Sequence, residues 1–225
     1  MNPIEALLEA TTRYLETVGA LTDDELRAPS ALPGWTRGHV AAHVALNAHG
    51  MARALRGART GEPVPMYDSQ EVRDADIEER ATGSAGDLAA FNQMAALRLA
   101  GEIRLMKALA TIERTPGGPE IAAPDLVEMR WREVEIHHAD LLVGYRPSDW
   151  PAPFATYLLE QVARDRSPEV DLTLHARDLD RTFLLGRGGQ GVAGGAGDLA
   201  WWLVGRGGGE GLTSTRPLPT LGPWR

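Results

Sequence analysis

From Asn2 to Val143 the chain repeats one pattern, and that pattern limits what it can fold into. A cap or proline comes first, apolar residues follow three and four apart, and a Gly- or Pro-bearing break closes the segment. Asn2 and Pro3 read as a cap and a first-turn proline. Ile4, Leu7, Leu8, Tyr14, Leu15 and Val18 then recur at helical spacing, so 3–20 is an amphipathic helix. Thr36, after the turn "ALPGW", is an N-cap for a second helix running to about Leu55. Gly57, Gly61, Pro63 and Pro65 make the next stretch a loop, and a short helix follows Ser69. Ser84 caps a long helix over 85–112, with Leu88, Phe91, Leu97, Ile103, Leu105 and Leu109 expected to face inward. "RTPGGPE" breaks the chain, and Pro124 starts a last helix to about Val143. Four main helices with intervening loops predict a helix bundle over 1–146.

The texture then changes. "GYRPSDWPAP" (144–153) reads as a linker, and 154–165 as a helix. "VDLTLHA" (170–176) alternates apolar and polar residues as a half-buried strand does, with "ARDLD" as a turn into a partner strand, "RTFLLG". "AGDLAWWLVGR" reads as a helix ending near Gly205, and Trp201 and Trp202 as core packing. Residues 147–225 therefore form a small α/β domain, and the chain as a whole is α+β. "GRGGQG" (186–191) matches a dinucleotide-binding pattern only formally. It lacks an immediate helix and a βαβ setting, so it reads as turn.

Composition narrows the chemistry. Lys plus Arg number 23 against 31 Asp plus Glu, a net charge of −8, with no basic stretch to bind nucleic acid. The absence of cysteine excludes a disulfide framework, a thiolate zinc site and a cysteine nucleophile, so any thiol chemistry needs an external sulfur. "MNPIEALLEA" carries two glutamates and no basic region, unlike a signal peptide. No apolar run approaches the roughly 18 residues of a membrane span. A cytoplasmic protein without a membrane partner is expected.

Five of the six histidines fall in two of the helices. In the second helix His39, His43 and Asn47 lie at successive i, i+4 steps, which fits either a metal-binding face or an ordinary polar stripe. In the last helix, "MRWREVEIHHADL" sets Glu133 and His137 on one face, a carboxylate and an imidazole suited to a first-row metal. Glu135 should face away. His138, turned by about 100°, should look at a neighbouring helix or solvent. Asp140, three residues beyond His137, is placed to support it. Facing helices of a bundle build metal sites from such inward side chains. "HEXXH" is absent. Arg206, at the start of "RGGGEG", is either a charge at a helix C-terminus or a fork for a carboxylate.

Taken together, "LPGWTRGHVAAHVALNA", "GEPVPMYDSQEVRDADIE", "MRWREVEIHHADL" and "GRGGGEGLTS" resemble the mycothiol-dependent maleylpyruvate isomerases, a branch of the DinB-like metal-binding bundles. The resemblance spans nearly the whole chain in the expected order. It implies a DinB-like four-helix bundle followed by a small α/β domain similar to sterol-carrier folds. It also implies zinc held by His43, Glu133 and His137, with His39 outside the ligand set and Arg206 serving the active site. Three protein ligands leave one position of a tetrahedral zinc open, as in catalytic sites. The implied activity is isomerisation of maleylpyruvate to fumarylpyruvate with mycothiol, in gentisate-type aromatic degradation. The partners are a small dicarboxylate substrate and a low-molecular-weight thiol. A mycothiol S-transferase and a non-catalytic metal- or ligand-binding bundle are the alternatives.

Overall fold

The computed structural model describes residues 2–224. The chain divides into two compact units, Met1–Val143 and Gly144–Arg225.

The first unit holds helices α1 (Pro3–Ala20), α2 (Asp23–Arg27), α3 (Arg37–Thr60), α4 (Gln70–Ala81), α5 (Ala85–Leu105) and α6 (Asp125–Asp140), with a two-stranded hairpin of β1 (Thr111–Glu113) and β2 (Glu120–Ala122). The caps expected at Asn2, Thr36, Ser69 and Ser84 are all made, each side chain accepting a backbone N–H of the first turn. In a square arrangement α1 packs on α5 and α6, and α3 on the same two, which makes the four-helix bundle. Helix α3 is its most enclosed member, with Val40, Ala41, Ala42, Val44 and Ala48 fully buried. Its small side chains let the neighbouring backbones come close.

Helix α5 departs from expectation. It ends at Leu105, and Leu97, Leu105 and Leu109 are exposed. The buried stripe is Leu88, Asn92, Ala95, Leu99 and Ile103. It runs through a polar residue, because the Asn92 amide donates to the Ala41 and Leu88 carbonyls at 3.1 and 2.9 Å. A buried amide with its donors satisfied fits in a core, and apolar periodicity does not register it. The segment taken for the end of this helix instead starts the hairpin, in which Ile112 pairs with Ile121 and "RTPGGPE" forms the connection. The hairpin holds the loop before α4 in place: Met66 N–H donates to the Glu113 carbonyl and Tyr67 N–H to that of Arg114.

The second unit opens with a 3₁₀ turn (Pro147–Asp149) inside the expected linker. It continues as α7 (Ala152–Arg166), β3 (Leu172–Ala176), β4 (Arg181–Leu185), β5 (Gln190–Gly194), α8 (Ala196–Leu203) and β6 (Thr213–Ser214). The sheet order is β4-β3-β5-β6, with β3 and β4 antiparallel and β3 and β5 parallel. Leu172, Leu174 and Ala176 point into the core as the alternation requires, and Trp202 is buried with them. Sequence reading missed β5 and β6. The "GRGGQG" segment is the crossover from β4 to β5, passing over the start of β3. Gly186 has φ 57°, and a Cβ on Gly189 would lie 2.5 Å from the Asp171 carbonyl. The glycines serve a tight backbone crossing, and the strand they feed is too glycine-rich to show alternation. The α+β class is observed.

Candidate metal centre

Three side chains converge inside the bundle. His43 comes from the second turn of α3, and Glu133 and His137 from one face of α6. His43 Nε2 lies 2.9 Å from Glu133 Oε2 and 3.1 Å from His137 Nε2, and His137 Nε2 is 3.6 Å from Glu133 Oε2. Ligand atoms about 2.0–2.2 Å from a tetrahedral zinc are separated from one another by roughly 3.3–3.5 Å. The three observed spacings bracket that value, so these atoms fit a zinc-sized divalent ion with little movement. Among the described residues this is the one group of three or more potential ligands gathered so closely.

The neighbours set orientation and charge. His137 Nδ1 is 2.8 Å from Asp140 Oδ2, which fixes the tautomer that leaves Nε2 free for a metal. His43 is buried, and the loss of hydration presses its imidazole down to about 4, so it is neutral at pH 7 as a metal ligand must be. Burial pushes the Glu133 carboxyl up. The hydrogen bond with His43 and the positive charge around it, including Arg130, outweigh this and hold it below the usual carboxylate range. Arg130 is itself buried and donates from Nη1 to the Val44 carbonyl and to Asn47 Oδ1, both at 2.8 Å. Trp35 closes the outer side, edge-on to His43 at 5.7 Å. An opening of about 300 Å³ lies over the group, lined by Leu32, Pro33, Trp35, His43, Arg73 and His137.

The other residues singled out by sequence have different work. His39 completes a capping box with Thr36 and lies 3.3 Å from Glu78. Asn47 bonds to Arg130. Glu135 and His138 occupy the α6 face turned to α1: Glu135 accepts from Arg13 at 2.8 Å and His138 Nε2 is 2.8 Å from Thr17 Oγ1. Glu135 thus faces away from the His43–Glu133–His137 group, but into the core and not into solvent. Arg206 lies in the second unit just past α8, where its N–H donates to the Trp201 carbonyl beside Gly205 at φ 80°. Trp35, Arg73 and Arg130 were missed. Arg130, one turn before Glu133, carried a signal in "MRWRE" that a rule about exposed arginines hides.

One consequence can be measured directly. Burial also presses His138 down to about 4. Unfolded, both histidines titrate near 6.5. Between pH 6.5 and 4 the unfolded chain takes up protons that the folded chain does not, so stability is full above 6.5 and falls as pH drops through that window. Each histidine contributes a slope of up to about 1.4 kcal/mol per pH unit. Denaturant midpoints of metal-free protein should fall from pH 7 to pH 4.5, and less so for His138→Gln. A flat profile in the wild type contradicts the burial argument.

A four-helix bundle that gathers a His–Glu–His group from facing helices has the architecture of a class, the bundles that place metal ligands on facing helices. Within that class the assignment is specific. A profile for the mycothiol maleylpyruvate isomerase N-terminal domain matches residues 7–142, and the chain belongs to that family. The match extends to solved structures. The crystal structure of the mycothiol-dependent maleylpyruvate isomerase superposes with a TM-score of 0.87 at 26% identity, covering 99% of this chain and 95% of that one. A single-substitution mutant of the isomerase matches equally well. No curated protein matches the chain by sequence. Among the described residues no helix is long and apolar enough to cross a membrane.

Proposed function

We propose that this protein is a zinc- and mycothiol-dependent isomerase that converts maleylpyruvate to fumarylpyruvate. The observation that carries the reading is the convergence of His43, Glu133 and His137 beneath an opening walled by Trp35 and Arg73. Family membership and the likeness to a solved isomerase over almost the full length support it. In this reading the protein works in the cytoplasm, in gentisate-type aromatic degradation.

The chemical problem is rotation about a carbon–carbon double bond. Reversible conjugate addition of a thiolate would make that bond single for long enough to rotate; a zinc ion held by His43, Glu133 and His137 would either keep the thiol deprotonated or steady the enolate that addition creates. The chain prepares the place for this. His43 and His137 present Nε2, with His43 held neutral by burial and His137 oriented by Asp140. Glu133 is ionised and brings one negative charge, which Arg130 balances from behind. Three protein ligands would leave a coordination position for an exogenous group. Leu32, Pro33 and Trp35 give the opening an apolar wall beside the charged group. The chain has no cysteine, in keeping with a borrowed sulfur.

Arg206 is proposed to bind a substrate carboxylate, on the strength of the family segment it occupies. Its guanidinium can meet a carboxylate in two parallel hydrogen bonds, and lysine keeps the charge but not the fork. Arg206→Lys should leave zinc content and folding intact and lower kcat/KM about ten- to a hundredfold, the worth of one charge-assisted contact. Wild-type kinetics in Arg206→Lys and Arg206→Ala reduce this arginine to a charge at a helix end.

The metal requirement tests the reading as a whole. Chelation should abolish turnover of maleylpyruvate in the presence of mycothiol, and zinc should restore it. Undiminished turnover by protein shown to be metal-free sinks the proposal.

A further inference from the structure

The partner of His43 Nδ1 is unusual for a metal site. A histidine that binds a metal through one nitrogen ordinarily donates the other N–H to an acceptor, as His137 does to Asp140. His43 Nδ1 instead faces Arg73 Nη2 at 2.9 Å. A guanidinium can only donate, so Nδ1 must accept, and the ring proton sits on Nε2 toward Glu133. A neutral His43 that gives Nε2 to a metal carries its proton on Nδ1. Two donors then face each other. Ligation by neutral His43 and the contact with Arg73 therefore exclude one another, and loading the site releases Nη2.

The rest of the guanidinium is already arranged for an anion. Nη1 donates to Asp74 Oδ1 at 2.7 Å, and the Tyr67 ring lies 5.7 Å away. The Nε–H is buried and has no hydrogen-bond partner among the described residues. Nε and Nη2 lie on the same edge of the guanidinium plane, the edge that takes a carboxylate in two parallel bonds. An unfilled buried donor costs free energy that an anion recovers. Arg73 is also the one side chain with a permanent charge among those lining the opening above the ligands.

We propose that Arg73, released from His43 when the metal site is loaded, grips a carboxylate of the substrate through Nε and Nη2. It is then a substrate-binding residue of the same site, one imidazole ring away from a metal ligand. This rests on the isomerase reading for the identity of the substrate, but binding can be measured without turnover.

The probe is maleate, a cis-dicarboxylate, titrated calorimetrically into zinc-loaded protein with no thiol present. Wild type should bind it. Arg73→Lys should bind roughly ten- to a hundredfold more weakly, and Arg73→Ala at least as weakly as that, each with unchanged zinc stoichiometry. In zinc-free protein the alanine substitution should make no difference, because there Arg73 is engaged with His43. In turnover assays the loss should appear mainly in KM. Equal maleate binding by zinc-loaded wild type and Arg73→Ala, or no binding by either, overturns the proposal. Loss of zinc from both variants overturns it too, because Arg73 then serves to hold His43. Maleate binding that depends on Arg73 in a protein that does not isomerise maleylpyruvate leaves Arg73 in place and removes the isomerase reading.

Discussion

His137→Ala should leave the protein without tightly bound zinc and without measurable turnover, whereas His138→Ala should keep both. The two residues are adjacent in sequence and share a side chain, so composition cannot separate them. Geometry can. One residue advances the helix by about 100°, which turns His138 away from Glu133 and onto α1, where its Nε2 meets Thr17 Oγ1 at 2.8 Å. His137 stays over Glu133, one helical turn on, with its Nε2 3.1 Å from that of His43. Removing one of the three proposed ligands would leave two, too few to hold a catalytic zinc tightly. His138→Ala removes a buried polar ring and should cost stability of order 1–3 kcal/mol without touching the ligand set. Metal analysis of the two purified variants, beside their denaturant midpoints, reads both effects. Full zinc in His137→Ala and none in His138→Ala shows the register of α6 to be wrong.

Arg130→Met should destabilise the bundle by about 1–3 kcal/mol, the cost of leaving the buried Asn47 amide oxygen without its partner. The guanidinium is buried, and it donates to Asn47 Oδ1 and to the Val44 carbonyl, which also belongs to the α3 ladder. Methionine fills much of the volume but returns neither hydrogen bond. The loss reaches the metal centre as well. The charge of Arg130 is one of those holding the Glu133 carboxyl down, so without it Glu133 takes up a proton more readily and competes less well for a cation. The variant should show a lower midpoint and weaker zinc binding that worsens as pH falls. If Asn47→Ala alone reproduces the whole effect, the charge is not what matters.

The parts of this molecule legible in sequence are those fixed by local rules. Helix starts at Asn2, Thr36, Ser69 and Ser84 were readable because a cap is a short-range hydrogen bond. The Glu133–His137 face was readable because helical geometry sets it. What joined that face to His43 was the contact between α3 and α6, which no spacing in the sequence specifies. Resemblance to a family supplied that link. The hairpin of β1 and β2 escaped because two three-residue strands carry too little alternation to detect. Strand β5 escaped because glycine, chosen for a crowded crossing, leaves no side-chain pattern. Arg73 escaped for a related reason: it sits in the first turn of α4, and its contact with His43 depends on how α4 packs on α3, which no spacing in the sequence specifies. Leu97 and Leu105 misled because apolar residues on a helix do not all face inward. The true stripe of α5 passes through Asn92, whose amide the surrounding carbonyls satisfy.

The most direct test of the central claim is a spectroscopic assay of zinc-replete protein with maleylpyruvate, run with and without mycothiol, with product and thiol recovered afterwards. Conversion to fumarylpyruvate is expected only when mycothiol is present, with the thiol recovered unchanged because addition is reversed in each turnover. Conversion at the same rate without thiol contradicts it. So does a product that leaves with the thiol attached, which defines a transferase, and so does the absence of any reaction in protein shown to carry zinc.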